Sequence, residues 1–412
     1  MTKTIADVLI VGAGFGGLSA ALAVASEAAA RKILLIERLG AGSNRTTPMT
    51  FAETPQAFGL EASVCGRYRR FTFHSPLGGS CSHGFDGFPL VALDYAQAAG
   101  SLLQRARQTG DVQLLHATAS RLQRREGRWE LHLADGRTLC APLVIDASGR
   151  GLFAHKALGL PRPKAFSHCY GAVLSGVDVP QANEAFFLAP FGAYGDGGGW
   201  LYPLDGKRVS VGYASLGSTP GFPAKEIMAR FHQALQGFEP YASWLKGAQW
   251  ERPEAGSIPI YPLRRLAYDG LLLVGDAAGQ ATIWSCMGSA AALEAGRMAG
   301  QAALRALQGN DFSAKKLQGY QKDWDRRHRR TYRNNAILAP VVWGMSAGEW
   351  NRQIARVQAL TPDRMVERLR TNWPVPAWPL AVLLRAYDIA GRTRRGLAAR
   401  LFRNKPEAYD PS

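Results

Sequence analysis

The chain has 412 residues, 47% of them apolar and 20% charged, and its 49 Lys and Arg outnumber its 32 Asp and Glu. That length accommodates about two to three domains, and the apolar fraction is that of a globular chain, not a disordered one. Cys65, Cys81, Cys140, Cys169 and Cys286 show no CxxC spacing, which excludes a disulfide framework and a thiolate metal site, and no apolar run is long enough to span a bilayer.

In chain order, residues 6–37 read as strand, glycine turn, helix and second strand. The apolar run Ala6–Val11 leads into Gly12-Ala13-Gly14-Phe15-Gly16-Gly17, and after a small-residue helix Ile33–Glu37 ends in a carboxylate. Each part suits an adenine dinucleotide. Gly12 permits the sharp turn, Gly14 lets a pyrophosphate approach the backbone, and Gly17 lets the helix pack on the strand. The helix N-terminus offers unpaired N–H groups to the negative charge. Ala13 lies within this loop; Glu37 is placed to accept from ribose hydroxyls, and Arg38 follows it beside the same site.

Trp129 to Leu139 alternates around Asp135-Gly136 and predicts a hairpin. Val144-Ile145-Asp146-Ala147-Ser148-Gly149-Arg150 closes another apolar strand. Residues 165–260, rich in Gly, Pro and aromatics, read as an antiparallel sheet forming one wall of a substrate site. Within it Trp200 and Tyr202 are two residues apart and share a strand face. A flat aromatic wall suits an apolar ligand, although packing of an inter-domain core explains the same stripe. His74, His83 and His168 fall in segments expected to border the cavity, and Arg67, Arg69 and Arg70 are candidates for an anionic head group.

The apolar run Leu271–Val274 ends in Gly275-Asp276-Ala277-Ala278-Gly279-Gln280, and a long Ala-rich helix extends to about Ala303. Asp276 is placed for a ribityl hydroxyl, and the helix N-terminus for negative charge on a flavin. With both motifs in view, the chain resembles the FAD-dependent oxidoreductases of the aromatic-hydroxylase fold group. That group includes flavin monooxygenases, geranylgeranyl reductases, flavin-dependent halogenases and lycopene cyclases. The resemblance spans about residues 5–305.

It implies an α/β fold. A Rossmann-like FAD-binding domain is built from residues 1–50, 90–165 and 265–305. An antiparallel-sheet substrate domain comprises 51–89 and 166–264, and a helical C-terminal region covers 306–412. FAD would be held by Gly12, Ala13, Gly14, Gly17, Glu37, Arg38, Asp146, Gly275, Asp276, Gly279, Met287 and Gly288, and the substrate by Trp200, Tyr202 and Trp284.

Gly275–Gln280 is most similar to the geranylgeranyl reductase wording. So is Trp200-Leu201-Tyr202-Pro203 with the following Gly212, a motif that in those enzymes lines an isoprenoid cavity. Asp146-Ala147-Ser148-Gly149 looks more like halogenases and lycopene cyclases. No lysine lies between Lys32 and Lys156, where the halogenase lysine belongs, so halogenation is disfavoured. Thr282 to Gly288 lacks the family's Pro and glycine run and brings Trp284, Cys286 and Met287 towards the flavin; for Cys286 a buried inert thiol is the other explanation.

The expected reaction is reduction of carbon–carbon double bonds in an isoprenoid-like lipid. Flavin monooxygenation of a lipophilic or aromatic metabolite is the alternative, with a non-redox cyclase or a lipid-binding flavoprotein behind it. No second dinucleotide motif is present, so electrons are expected from transiently bound NAD(P)H or a partner reductase. Residues 310–412 carry 20 Lys and Arg against 9 Asp and Glu, together with Trp324, Trp343, Trp350, Trp373 and Trp378. Arg326–Arg333 is one basic cluster, and Arg385, Arg392, Arg394, Arg395, Arg400 and Arg403 form another. Such a region suits an anionic membrane surface, and a solvated basic face fits the same pattern. No nucleic-acid module is present. The expected location is cytoplasmic, peripheral at the inner face of the membrane.

Overall fold

The computed structural model describes residues 3–371, apart from 45, 76, 180, 189–196, 206, 219–223, 238, 240, 284–285 and 344. Three segments far apart in sequence feed one six-stranded sheet, in the order Ala267–Tyr268, Leu271–Leu273, Leu143–Asp146, Val8–Val11, Ile33–Glu37, Val112–His116. All neighbours are parallel except the first pair. Val8–Val11, Leu143–Asp146 and Leu271–Leu273 are buried at every position. Strands covered on both faces have no solvent side, which is why they read as apolar runs without alternation. Chain order reverses on either side of Val8–Val11, and in such sheets the crevice at the carboxyl ends of the strands is the ligand site.

The helices Phe15–Glu27 and Ser289–Gly309 cross over this sheet at unusually close range. A Cβ on Gly296 would lie 2.2 Å from the Gly16 carbonyl oxygen, and one on Gly300 2.6 Å from that of Ala20. Ser19 Oγ donates to the Leu293 carbonyl at 2.7 Å across the same contact. Small residues bring the two backbones together, and both helix N-termini therefore open on one crevice.

A seven-stranded sheet stands beside this unit, in the order Gln249–Pro259, Phe166–Ser175, Arg208–Ser218, Gly197–Pro203, Glu184–Leu188, Arg70–His74, Ser80–Gly84. It is antiparallel apart from the pairing of Glu184–Leu188 with Arg70–His74. The expectation of strands throughout 165–260 needs correction: Ala224–Gly237 is a helix, followed by the short helix Tyr241–Trp244. Ile227, Phe231 and Ala234 fall at i, i+4 and i+7 and pack into the core behind the sheet. That is a helical period, which composition alone concealed.

The hairpin around Gly136 forms, with Arg128–Leu133 antiparallel to Thr138–Ala141 in a four-stranded sheet with Lys3–Ile5 and Ala119–Arg125. Met49–Phe51, Leu90–Leu93 and Val64–Tyr68 make a three-stranded sheet. Three helices follow: Ala314–Trp343, Ala347–Val357 and Pro362–Thr371. No described helix is long and apolar enough to cross a membrane.

Candidate active site

One cavity of about 1460 Å³ runs from the glycine turn, past the carboxyl ends of the parallel strands, to the face of the seven-stranded sheet and the two last helices. Single-ligand pockets are usually about 300–1,000 Å³, so this one has room for a cofactor and a substrate together.

At one end Gly12 has φ +102°, and a Cβ there would lie 2.2 Å from the Ala147 carbonyl oxygen. Gly17 is equally constrained, since its Cβ would lie 2.0 Å from the Gly12 oxygen. Gly14 caps the Phe15 helix, which has no side-chain cap and no acid in its first turn. The Phe15 N–H is donated to the Tyr95 hydroxyl at 3.2 Å. Glu37 accepts from the Ala13 and Leu39 amides at 3.0 and 3.1 Å, which braces the turn. A carboxylate has about four acceptor positions, so Glu37, which lines the cavity beside Arg38, keeps acceptors for a ligand.

Gly275 (φ +67°) and Asp276 stand further along. Gln280, which is fully buried, locks their turn. Its Oε1 accepts from the Gly275 amide at 2.7 Å, its Nε2 donates to Tyr320 at 2.9 Å, and its carbonyl accepts from Tyr332. Among the described residues nothing hydrogen-bonds to the Asp276 carboxyl, which faces the cavity; burial pushes its pKa up to about 6. The second helix N-terminus follows at Gly288–Ser289, again with no side-chain cap and no acid in its first turn. Two uncapped N-termini, an acceptor at Glu37 and an orphaned carboxyl at Asp276 along one cavity fit a dinucleotide bearing a pyrophosphate and a polyol, as FAD does. Asp276 should therefore set a pH dependence. FAD affinity of the apoprotein is expected to fall as pH drops through about 6, where the carboxyl takes up a proton and loses acceptor strength. In Asp276→Asn the affinity should be about tenfold lower at neutral pH, the worth of one hydrogen bond, and free of that step. Fluorescence titration with FAD from pH 5 to 8 checks both.

The expected cofactor residues are not all on the cavity wall. Gly12, Gly14, Glu37, Arg38, Gly275, Asp276, Met287 and Gly288 line it, while Ala13, Gly17, Asp146 and Gly279 stand behind it. Asp146 is fully buried, and its oxygens accept from the amides of Ser148 and Ala154 at 3.0 and 2.7 Å. It shapes the turn and faces no ligand. Gly279 serves the backbone: φ is +65°, and a Cβ would lie 2.1 Å from the Tyr261 carbonyl oxygen. Trp284 lies outside the described residues. Cys286 has φ +53°, rare for a residue with a side chain. Its thiol is pushed up to about 12 by burial and hydrogen-bonds to Ser167. It is neutral, which agrees with an inert thiol.

At the other end the sheet supplies a floor. Strand pairing aligns Glu254, Gly171, Gly212, Trp200, Phe187, Phe73 and Cys81 in one transverse row. A Cβ on Gly212 would lie 2.1 Å from Trp200 Cζ2, and one on Gly171 3.3 Å from it, so the indole lies across both glycines. Trp200 Nε1 donates to Ser210 Oγ at 3.2 Å, and Ser210 Oγ to Glu254 Oε2 at 3.4 Å. Thr47 Oγ1 donates to Glu254 Oε1 at 3.0 Å, and Tyr202 Oη to the Thr47 carbonyl at 2.6 Å. Trp200, Tyr202, Phe187, Phe73 and Glu254 all line the cavity. The next row, Gly256, Cys169, Ala214 and Gly198, is small throughout and leaves a flat recess.

The roof comes from the C-terminal region. Trp350, Gln353, Ile354 and Val357 line the cavity from one helix at i, i+3, i+4 and i+7; Met365, Arg368 and Leu369 do so from the next. A capping box of Ser346 and Glu349 starts the first helix, and Arg370 pairs with Glu53 at 3.1 Å to hold the second. Apart from Trp350, named only as one of the tryptophans of the basic region, these residues and Glu254 were not singled out in the sequence, although the helical spacing of the lid was there to find.

Other expectations are corrected. His74, His83 and His168 do not line the cavity: His83 bonds the Val357 carbonyl at 2.9 Å, and His168 bonds Ser257 at 2.7 Å. Arg67, Arg69 and Arg70 face elsewhere, Arg69 lying over Phe88. In the basic cluster Arg327 and His328 bind Glu294 at 2.5 and 3.1 Å, and Arg326 binds Asp323 at 2.9 Å. Trp324 is 2% exposed and belongs to the core, not to an outer face. Trp373, Trp378 and the arginines from Arg385 onward lie outside the described residues.

Residues 7–339 match the family model described as lycopene cyclase protein. Digeranylgeranylglycerophospholipid reductase 2 of Methanopyrus kandleri is 30% identical over 365 residues, covering 84% of this chain and 88% of the relative. Among solved structures, a geranylgeranyl bacteriochlorophyll reductase-like protein from Thermoplasma acidophilum superposes with a TM-score of 0.78 at 19% identity, covering 98% of this chain and 99% of that one. The flavin-dependent brominase Bmp2 gives 0.70 at 16% identity, covering 95% and 100%. At those identities the two structures speak for the fold alone. Cavity, motifs and relatives agree: the chain belongs to the lycopene cyclase protein family and is a flavoprotein oxidoreductase resembling the geranylgeranyl reductases.

Proposed function

We propose that this protein reduces isolated carbon–carbon double bonds in the prenyl chains of a lipid. The observation that carries the reading is the single cavity, with dinucleotide-holding features at one end and a Trp200–Phe187–Phe73 floor under an apolar helical lid at the other. The named activity of the Methanopyrus relative supports it.

Gly12, Gly14, Glu37, Arg38, Asp276, Met287 and Gly288 would hold FAD, which when reduced supplies hydride. The chain does the rest by position. The glycine turn and the Phe15 helix would hold the pyrophosphate, and Asp276 the polyol. The small row Gly256–Cys169–Ala214–Gly198 leaves space for a planar ring. Phe73, Phe187, Trp200, Ile354, Val357 and Leu369 exclude water and lay an extended chain along the floor. Exposed Arg326, Arg329 and Arg330 face outward from the Ala314 helix and suit an anionic membrane surface, where the lipid would be collected. With one dinucleotide motif, electrons would come from transient NAD(P)H or a partner reductase.

Oxygen separates this from monooxygenation. The FAD-loaded, reductant-supplied protein should convert a prenylated glycerol lipid under nitrogen, each product gaining two hydrogens per double bond by mass spectrometry. Product that forms only in oxygen, with an added oxygen atom, would overturn the proposal in favour of hydroxylation.

A further inference from the structure

We propose that Glu254 is the catalytic acid of this cavity, holding a proton at its wall and passing it to a carbon of the bound double bond. The inference rests on the reductase reading and adds to it the group that completes the reaction.

An isolated alkene has no electron-withdrawing group, so hydride addition alone would leave an unstabilised carbanion. A proton must arrive at the other carbon. Among the described cavity residues near the aromatic floor, Glu254 is the carboxyl that stands in the same row as Trp200, Phe187 and Phe73. Gly171 and Gly212 place no side chain between it and the indole, which brings the acid beside the ring on the cavity wall. Aromatic faces also favour positive charge, which builds on an alkene carbon as the proton moves to its neighbour.

Glu254 is 8% exposed. Charged and titratable neighbours face it from each side. Arg252 on its own strand stands at 3.4 Å, and Tyr202 couples to it from the strand Gly197–Pro203. The Thr47 and Ser210 hydroxyls donate to its two oxygens. Arg252 and both hydroxyls favour the ionised form, but burial outweighs them and the carboxyl pKa is raised. A carboxyl whose pKa is raised by burial is the usual device for a general acid. Burial pushes the Cys169 and Cys286 thiols up to about 11 and about 12, which makes them much weaker acids, and His74, His83 and His168 do not line the cavity.

The step balances as follows. Glu254 breaks its O–H bond and the alkene carbon gains a C–H bond, drawing on the π pair; the second carbon takes hydride from the reduced flavin. The alkane carries two more hydrogens, the flavin is oxidised by two electrons, and Glu254 is left as carboxylate until water reprotonates it.

The test compares wild type, Glu254→Gln and Glu254→Asp, each FAD-loaded, with a prenylated glycerol lipid under nitrogen in D2O. Infrared difference spectra of the same proteins without lipid read the protonated-carboxyl band. The inference expects that band in wild type and its absence in Glu254→Gln. It also expects unchanged FAD content and lipid affinity in Glu254→Gln, a 10²–10⁴-fold slower reduction, the scale of general acid catalysis, and partial recovery in Glu254→Asp. Wild type should place deuterium at both carbons of each reduced bond, one from the Glu254 carboxyl and one by way of the solvent-exchanged flavin N–H, with fixed stereochemistry. Glu254→Gln that turns over at the wild-type rate with the same labelling overturns the inference and leaves the reductase reading standing. Wild type that shows the carboxyl band and binds lipid yet never reduces it overturns the reading itself.

Discussion

Gly212→Val is expected to weaken lipid binding about a hundredfold while leaving FAD in place. Any side chain at this position meets the Trp200 indole, because a bare Cβ would already lie 2.1 Å from Trp200 Cζ2. Two branches more would lift the ring off the sheet, break its 3.2 Å bond to Ser210, and drive the indole into the space above the floor. The loss is that of one buried aromatic contact surface, about 2–3 kcal/mol, or roughly a hundredfold in Kd. The glycine turn and Asp276 lie at the other end of the cavity and are untouched, so flavin content should match wild type. Lipid titration with flavin absorbance measured on the same sample separates the two effects. Equal loss of FAD and lipid would mean that the sheet and the dinucleotide crevice are not independent parts of the site.

Gly12→Val is expected to give the opposite result, a protein purified without flavin. Two penalties combine. The φ of +102° is one that residues with a side chain rarely adopt, and the Cβ would lie 2.2 Å from the Ala147 carbonyl oxygen, a backbone atom with nowhere to go. Gly136→Ala is the control. It too has positive φ, +88°, but nothing lies within 4 Å of its Cβ, so it carries the backbone term alone, about 1–2 kcal/mol. Gly136→Ala should lose a few degrees of Tm and keep its FAD. Gly12→Val should lose at least a thousandfold in FAD affinity, the turn being displaced from the strand ends. Reconstitution with FAD, alongside circular dichroism to establish that the chain is folded, reads both variants. Normal FAD affinity in Gly12→Val would remove the glycine turn from the cofactor site.

The contrast between these positions shows what the residues disclose locally and what only assembly reveals. Gly12, Glu37, Gly275 and Asp276 each sit at the end of an apolar strand, and a short window of sequence carries strand, turn and helix together. Trp200 and Tyr202 were placed on one face by the two-residue strand period, and both line the cavity. Glu254 could not be found this way. It reaches the indole through three strand pairings that join residues 254, 171, 212 and 200, and register across non-adjacent strands is set by tertiary packing. His74 and His168 failed for the matching reason: a strand presents alternate faces, and which face looks at the cavity depends on a sheet order no local pattern encodes; His83 shares the face of Cys81 but is taken up by the Val357 carbonyl of the lid. Asp146 sat at the right strand end, but its acceptors are consumed by the next turn's amides. Ala224–Gly237 was obscured by the Gly, Pro and aromatic composition around it, although its own apolar spacing is helical.

The most direct measurement is an anaerobic single turnover. The FAD-loaded protein is photoreduced, then mixed under nitrogen with a digeranylgeranylglycerol phospholipid in mixed micelles while flavin absorbance is followed. A cavity that joins reduced flavin to a prenyl chain predicts that the oxidised flavin spectrum returns with one equivalent of double bond reduced per flavin. A spectrum that stays reduced until air is admitted, with lipid bound and its double bonds intact, would contradict the reductase account.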